Sequence, residues 1–252
     1  MPDGFWLLPL LFATGLSAGL IDAIAGGGGL ITLPVLLAIG IPTKLALGTN
    51  KFQSSFGSFT ASFYYSRRGV VDVSRARLGV GCTLAGAGLG AWTVQQIESN
   101  VLSGIVPFLL LGIAVYTVFT PKLGEVHAPA RMPDGVFYVL AGLCLGFYDG
   151  FFGPGVGSFW TILFVFALGF DLIKATGYTK VMNFASNIIS FAVFLAGGHV
   201  WFVGGACMAV GQILGSRIGA GLAIKRGVRF IRPIFLTVVL ATIVKVILER
   251  WG

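Results

Sequence analysis

Residues 19 to 29 read GLIDAIAGGGG, which sets an aspartate, Asp22, and four consecutive glycines, Gly26, Gly27, Gly28 and Gly29, inside an apolar stretch. Neither suits a plain membrane helix. An ionised carboxylate in hydrocarbon costs several kcal/mol, and a glycine run releases N–H and C=O groups that lipid cannot satisfy. The pattern also returns. Residues 146 to 156 read GFYDGFFGPGV, so that Gly19 falls on Gly146, Asp22 on Asp149, Gly26 on Gly153 and Gly28 on Gly155.

The correspondence continues downstream with small shifts. IGIPTKLALGTNK (39–51) meets LGFDLIKATGYTK (168–180), which places Gly40 on Gly169, Gly48 on Gly177 and Lys51 on Lys180. Further on, Cys82, Gly86 and Gly90 meet Cys207, Gly211 and Gly215, and Pro107 meets Pro233. The chain therefore reads as two copies of one ancestral unit, residues 1–120 and 134–252, joined by a proline-bearing linker at 121–133.

Composition sets the solvent. Of 252 residues, 56% are hydrophobic and only 10% charged, and the mean hydropathy is +0.92. Apolar stretches of about twenty residues, each enough to cross a bilayer, recur from end to end. The expectation is an all-α, multi-pass membrane helix bundle. The net charge of +8 resides in short loops beside apolar segments, where it sets orientation and meets anionic lipid, so nucleic acid is not an expected partner. The opening residues, MPDGFWLLPLLF, lack a basic region and a cleavage site and are read as mature sequence. Cys82, Cys144 and Cys207 lie in apolar segments without metal-ligand spacing and are expected to pack.

Each half repeats the same elements: an apolar segment ending at the aspartate, a glycine break, a short apolar segment (30–39; 158–168) and a longer one (45–65; 172–196). Two ordinary spans follow, at 78–97 and 101–119, and at 201–224 and 230–248. Length does not decide whether the short segment crosses or re-enters. Loop charge speaks to orientation. Arg67, Arg68, Arg75 and Arg77 mark one cytoplasmic loop, and Lys225, Arg226, Arg229 and Arg232 another, yet these loops are not equivalent in the repeat. Each basic loop has a partner without Lys or Arg, as expected of two inverted repeats; their helices are broken at the glycines, and whether the breaks make them re-entrant stays open. Inversion requires an odd number of crossings per half, five helices or three plus a re-entrant hairpin, with the N-terminus outside. Lys245 and Arg250 then also lie outside.

Inverted repeats with broken helices gather binding groups near the midplane, at the interface of the halves. At Gly26–Gly29 and at Gly153, Gly155 and Gly157 a new half-helix presents unpaired N–H groups and a positive dipole end to an anion. The plainer reading is close helix packing, the expected role of Gly142, Gly146 and Gly150 and of Gly211, Gly215 and Gly219. Those GxxxG faces also offer a surface for a homodimer. Lys51 and Lys180 are related by the repeat and suit an anionic substrate, unless they snorkel to an interface. Asn50, Ser54 and Ser58, and Thr179, Asn183, Ser186 and Asn187, extend the same polar faces. Asp22 and Asp149 serve either in proton coupling, as counter-ions to the lysines, or as caps of the breaks. Arg217 has no charged counterpart and is expected to snorkel.

The pair GLIDAIAGGGGLITLP and GFYDGFFGPGVGSF, with LGTNK and the basic loop after it, closely resembles the TauE/SafE, or sulfite exporter, family over essentially the whole chain. The resemblance implies a bacterial inner-membrane transporter of small anions, sulfite or organosulfur acids such as sulfoacetate, usually outward and without a cofactor. The unlike breaks, GGGG against GPGVG, argue against two equivalent substrate sites. A passive anion channel is a near rival. An intramembrane enzyme built on Asp22 and Asp149 is a more distant one, since the G-x-G-D pattern, a Ser/His pair and a phosphate-binding loop are all missing from the sequence.

Overall fold

The computed structural model describes residues 7–98, 101, 102, 104 and 129–226. Among them are eight helices and no strand: α1 (Leu7–Ala25), α2 (Gly29–Ala38), α3 (Thr43–Arg67), α4 (Arg77–Gln96), α5 (Asp134–Phe151), α6 (Val156–Leu168), α7 (Leu172–Ala196) and α8 (Phe202–Arg226). The expected spans at 101–119 and 230–248 lie outside the described residues or almost wholly so, as does the linker before residue 129.

The breaks fall where the glycines do. Gly26 ends α1 at φ +74°, and Gly153 and Gly155 separate α5 from α6 at φ +99° and +82°, a region that residues with a Cβ rarely enter. Pro42 precedes α3, Pro133 precedes α5, and the Asp171 carboxylate caps α7 by accepting from the Lys174 amide at 2.9 Å. Helices α1, α7 and α8 are long and apolar enough to cross a membrane. Helix α3 matches α7 in length, at 25 residues, but carries the polar run Thr49, Asn50, Lys51, Gln53, all buried inside the bundle. Helices α2 and α6, with 10 and 13 residues, extend about 15 and 20 Å at 1.5 Å per residue, well short of a hydrocarbon core of about 30 Å.

Glycine faces set the closest packing. Helices α1 and α8 run side by side in one direction: Gly15 lies against Met208, Gly19 against Gln212, and Gly211, Gly215 and Gly219 against Phe12, Leu16 and Leu20. A Cβ on Gly19 would stand 2.6 Å from the Gln212 carbonyl oxygen. Helices α4 and α5 repeat this contact, with Gly142, Gly146 and Gly150 against Cys82, Thr83 and Ala87. The first helix of each half thus packs on the fourth helix of the other. Both glycine faces are used within the chain and do not remain available for a dimer.

The remaining contacts fix helix directions. Helix α3 runs with α8, since the Trp201 amide donates to Thr49 Oγ1 at 2.9 Å while Gly57 meets Gln212 and Ser216, and Gly221 meets Tyr64. Helix α4 runs with α7, as Gly79 and Thr83 reach Met182 and Gln95 reaches the Val193 carbonyl. Helices α3 and α7 cross in opposite directions, with Phe52 on Phe191 at 5.0 Å and Phe59 on Phe184 at 5.2 Å. Helices α1, α3 and α8 therefore point one way, and α4, α5 and α7 the other. Arg217 is exposed on α8.

Candidate functional site

The two breaks meet. A Cβ on Gly157 would lie 2.6 Å from Gly26 Cα, and one on Gly26 would lie 2.5 Å from the Gly157 carbonyl carbon. Ser158 Oγ ties the crossing by donating toward the Ala25 and Gly26 carbonyls at 3.0 and 3.1 Å. Part of the glycine signal thus serves backbone packing. Beside the crossing is a polar cavity of about 30 Å³, lined by Asp22, Gly26, Gly27, Gly28 and Gly29, by Asn50, Lys51 and Ser54, and by Asp149, Gly153, Gly155, Val156, Gly157, Asn183 and Asn187. That volume admits one or two water molecules. It sits near the middle of α3 and α7, the two long central helices.

The structure brings the sequence-predicted residues together at the cavity with four exceptions, Ser58, Thr179, Lys180 and Ser186. Thr179 and Lys180 are buried but off the cavity wall. Thr179 instead shares a hydrogen bond of 3.1 Å with Thr161. Val156 joins the wall without any chemical mark in the sequence, apart from its place between two glycines. Ser186, read from sequence as one of several polar neighbours, has a specific partner: its hydroxyl donates to Asp149 Oδ2.

Each lysine pairs with the aspartate of the other half. Lys51 Nζ meets Asp149 Oδ1 at 2.5 Å, with side chains 1% and 3% exposed. Lys180 Nζ meets Asp22 Oδ2 at 2.9 Å, with side chains 0% and 19% exposed. Neither lysine snorkels. Asp22 is at once counter-ion and cap, because its Oδ1 accepts the Gly28 amide at 3.2 Å. Of the two cations expected to face the cavity, Lys180 is held away by Asp22, and Lys51 alone lines it.

The donors at the breaks are largely uncommitted. Among the described residues, the amides of Gly27, Gly153, Gly155 and Gly157 have no hydrogen-bond acceptor. Asn183, 4% exposed, leaves its side-chain oxygen without a partner among the described residues, and Asn50 Oδ1 accepts from Thr32 Oγ1 at 2.5 Å and Gln53 Nε2 at 2.8 Å. Four free amides, one ammonium and side-chain amides can hold the oxygens of a small anion.

The two ends of the bundle are closed by different chemistry. Beside the N-terminus of α3, Lys44 Nζ donates to the Gln95 carbonyl at 2.8 Å, and the Gln95 side-chain oxygen lies 3.0 Å from His199 Nδ1. Partial burial, and secondarily Lys44, hold the His199 imidazole below its ordinary range. At the opposite end, Tyr178 donates to the Asp72 carbonyl at 3.4 Å, and exposed Arg75 stands 3.6 Å from Asp134. Hydrogen bonds from Ser74, hydroxyl and amide, hold the Asp72 carboxyl below the usual carboxylate range.

Helices long and apolar enough to cross a membrane, around a buried cavity lined by charged groups, suit a membrane protein that handles a small molecule. Comparison with known proteins agrees. Residues 11–246 match the family model described as "Sulfite exporter TauE/SafE". The chain is 43% identical over 246 residues to the "Probable membrane transporter protein YfcA" of Escherichia coli strain K12, covering 98% of this chain and 91% of that one. It is 45% identical over 233 residues to a "Probable membrane transporter protein" of Haemophilus influenzae, covering 92% and 91%. A third relative, the "Probable membrane transporter protein ORF9" of a Sinorhizobium species, is 42% identical over 245 residues, covering 97% and 94%. No solved structure matches the chain. By class the protein is a membrane transporter. It belongs to the sulfite exporter TauE/SafE family.

Proposed function

We propose that the protein is a multi-pass secondary transporter of the bacterial inner membrane that exports small anions, sulfite or organosulfur acids, and binds them in the cavity where the two glycine breaks cross. One observation carries this reading: duplicated breaks converge on one polar cavity, with free backbone amides and the Lys51 ammonium on its wall. The cavity's size in this conformation favours a carrier over a passive channel, because an anion is admitted only when the halves shift. Pairing of each aspartate with a lysine, and not with the other aspartate, weighs against an aspartyl enzyme.

The two repeats, 1–120 and 134–252 with the linker 121–133 between them, are inserted in opposite senses. Support comes from α3 and α7, equivalent in the repeat and opposite in direction. Because α1 and α3 point the same way, the short α2 must carry the chain back, and α6 does the same in the second half. This favours three crossings plus a re-entrant hairpin per half over five full spans, with the N-terminus outside.

The test is a thermal-shift screen of purified protein against sulfite, thiosulfate, sulfoacetate, taurine and plain carboxylates. Sulfur oxyanions are expected to stabilise the wild type, and Asn187→Ala or Ser54→Ala, at the wall but outside the ion pairs, to weaken the response. Silence from every anion overturns the proposal. Proteoliposomes loaded with the stabilising anion then report the direction of transport.

A further inference from the structure

The cavity wall carries two carboxylates, Asp22 and Asp149, and one ammonium, Lys51. An anion placed there meets more negative than positive charge as long as Lys51 stays on Asp149. Like charges sharing a desolvated site do not all remain ionised. The relief must come from one of the two ion pairs, and they differ in freedom. Lys180 is fully buried and off the wall, behind Asp22, so it does not face a ligand in the cavity. Lys51 is on the wall together with its partner.

Given the anion site proposed above, we propose that Lys51 exchanges partners, leaving the Asp149 carboxylate for the incoming anion, and that Asp149 takes up one proton from solution as it loses the ammonium. The balance is simple. Without anion the pair Lys51 and Asp149 sums to zero; with a monoanion, the ammonium, the anion and the protonated Asp149 again sum to zero. Neither state carries a net charge of this site through the bilayer, where an unpaired charge costs several kcal/mol. Both loaded and unloaded carriers can therefore change conformation, and anion and proton cross as a neutral pair. The membrane potential then adds nothing for a monoanion; the anion and pH gradients set the direction.

The surroundings of Asp149 leave it the proton's place. Helix α3 brings Lys51, α7 brings the Ser186 hydroxyl, which can donate to the carboxylate or accept from the acid, and α1 brings Asp22, which keeps Lys180 from α7 and the Gly28 amide. Tyr148, next in its own helix, points its hydroxyl to the Pro154 carbonyl at 2.7 Å. The α4 face of α5 meets Gly79, Cys82, Thr83 and Ala87, of which only the Cys82 thiol can titrate. Helix α6 offers Gly157 and Ser158 near the crossing, with no ionisable side chain.

The experiment uses methanesulfonate, whose charge is constant over the range, titrated into detergent-purified wild type in weakly buffered solution between about pH 5 and 8. The expected result is uptake of one proton per anion bound wherever Asp149 is ionised in the free protein and protonated in the loaded one, with an affinity that falls about tenfold per pH unit across that window and levels off above it. Asp149→Asn is expected to bind with no proton uptake and no pH slope, whereas His199→Gln, away from the cavity, keeps both. The wild-type stoichiometry stands even if Asp149→Asn fails to fold. Binding without proton uptake overturns the exchange but leaves the anion site intact. Proton uptake that persists in Asp149→Asn overturns the choice of carboxylate. Absence of methanesulfonate binding at every pH overturns the exchange, and the anion site falls with it only if the sulfur-anion screen is also silent.

Discussion

The two cross-paired ion pairs begin from equivalent sequence positions and end in different situations. Asp22 reaches its own break, accepting the Gly28 amide, and is 19% exposed. Asp149 does not reach the equivalent Gly155 amide; it is 3% exposed and relies on Lys51 and Ser186. Two sequence differences account for this. Pro154 stands where the first half has Gly27 and holds the second break through Tyr148, and the position equivalent to Ser186 in α3 is Gly57, pressed against Gln212 and Ser216. Repetition fixes where the charges are. The break and one hydroxyl decide which lysine is held off the cavity and which lines it.

The sharpest way to break this comparison is to remove each cation in turn. Lys51→Met strands the more deeply buried carboxylate, and a loss of about 3–5 kcal/mol is expected. Lys180→Met should lose clearly less, because Asp22 keeps an amide donor and some water. Equal melting losses in detergent would show that the pairs are interchangeable. Ser186→Ala comes next, at about 1.5–3 kcal/mol for a hydrogen bond to a charged group. Ser55→Ala, whose hydroxyl only returns to the Lys51 carbonyl at 2.7 Å, should be near neutral by the same melting assay.

The crossing is where the halves should look alike. Gly157→Ala and Gly26→Ala each push a Cβ into the partner backbone, costing about 1–3 kcal/mol, with Gly26→Ala the worse because of its positive φ. A neutral Gly157→Ala would mean that the breaks do not touch. The smallest effect concerns the bundle ends. His199 is held below its unfolded value of about 6.5, so its contribution is complete above that pH and is lost as pH falls through the folded value. Asp72, also depressed, gives way only below about pH 4. Wild type should therefore soften modestly from pH 7 to 5, and His199→Gln should flatten that slope in a melting series.

Much of this was legible in the chain itself. The Gly19/Gly146 alignment, the helix order and nearly all of the cavity wall follow from periodicity and from the cost of putting glycine and aspartate in lipid. The pairing was not. Lys51 and Asp149 are 98 residues apart and Lys180 and Asp22 are 158 apart, and sequence alone does not say which lysine meets which aspartate. That depends on the Gly26–Gly157 crossing, a contact of backbone with backbone that leaves no trace beyond the glycines. Lys180 looked like a second cavity cation for the same reason. Only the reach of Asp22 turns it aside.

Swapped partners make the halves hostages to one another. Either one produced alone would carry a lysine and an aspartate without the partners they have here, so a free-standing half would have to find them on another copy. Carrying both halves in one chain removes that search, and with it any need for the two handshakes to be identical: the carboxylate of one also grips its own break, and that of the other leans on a serine.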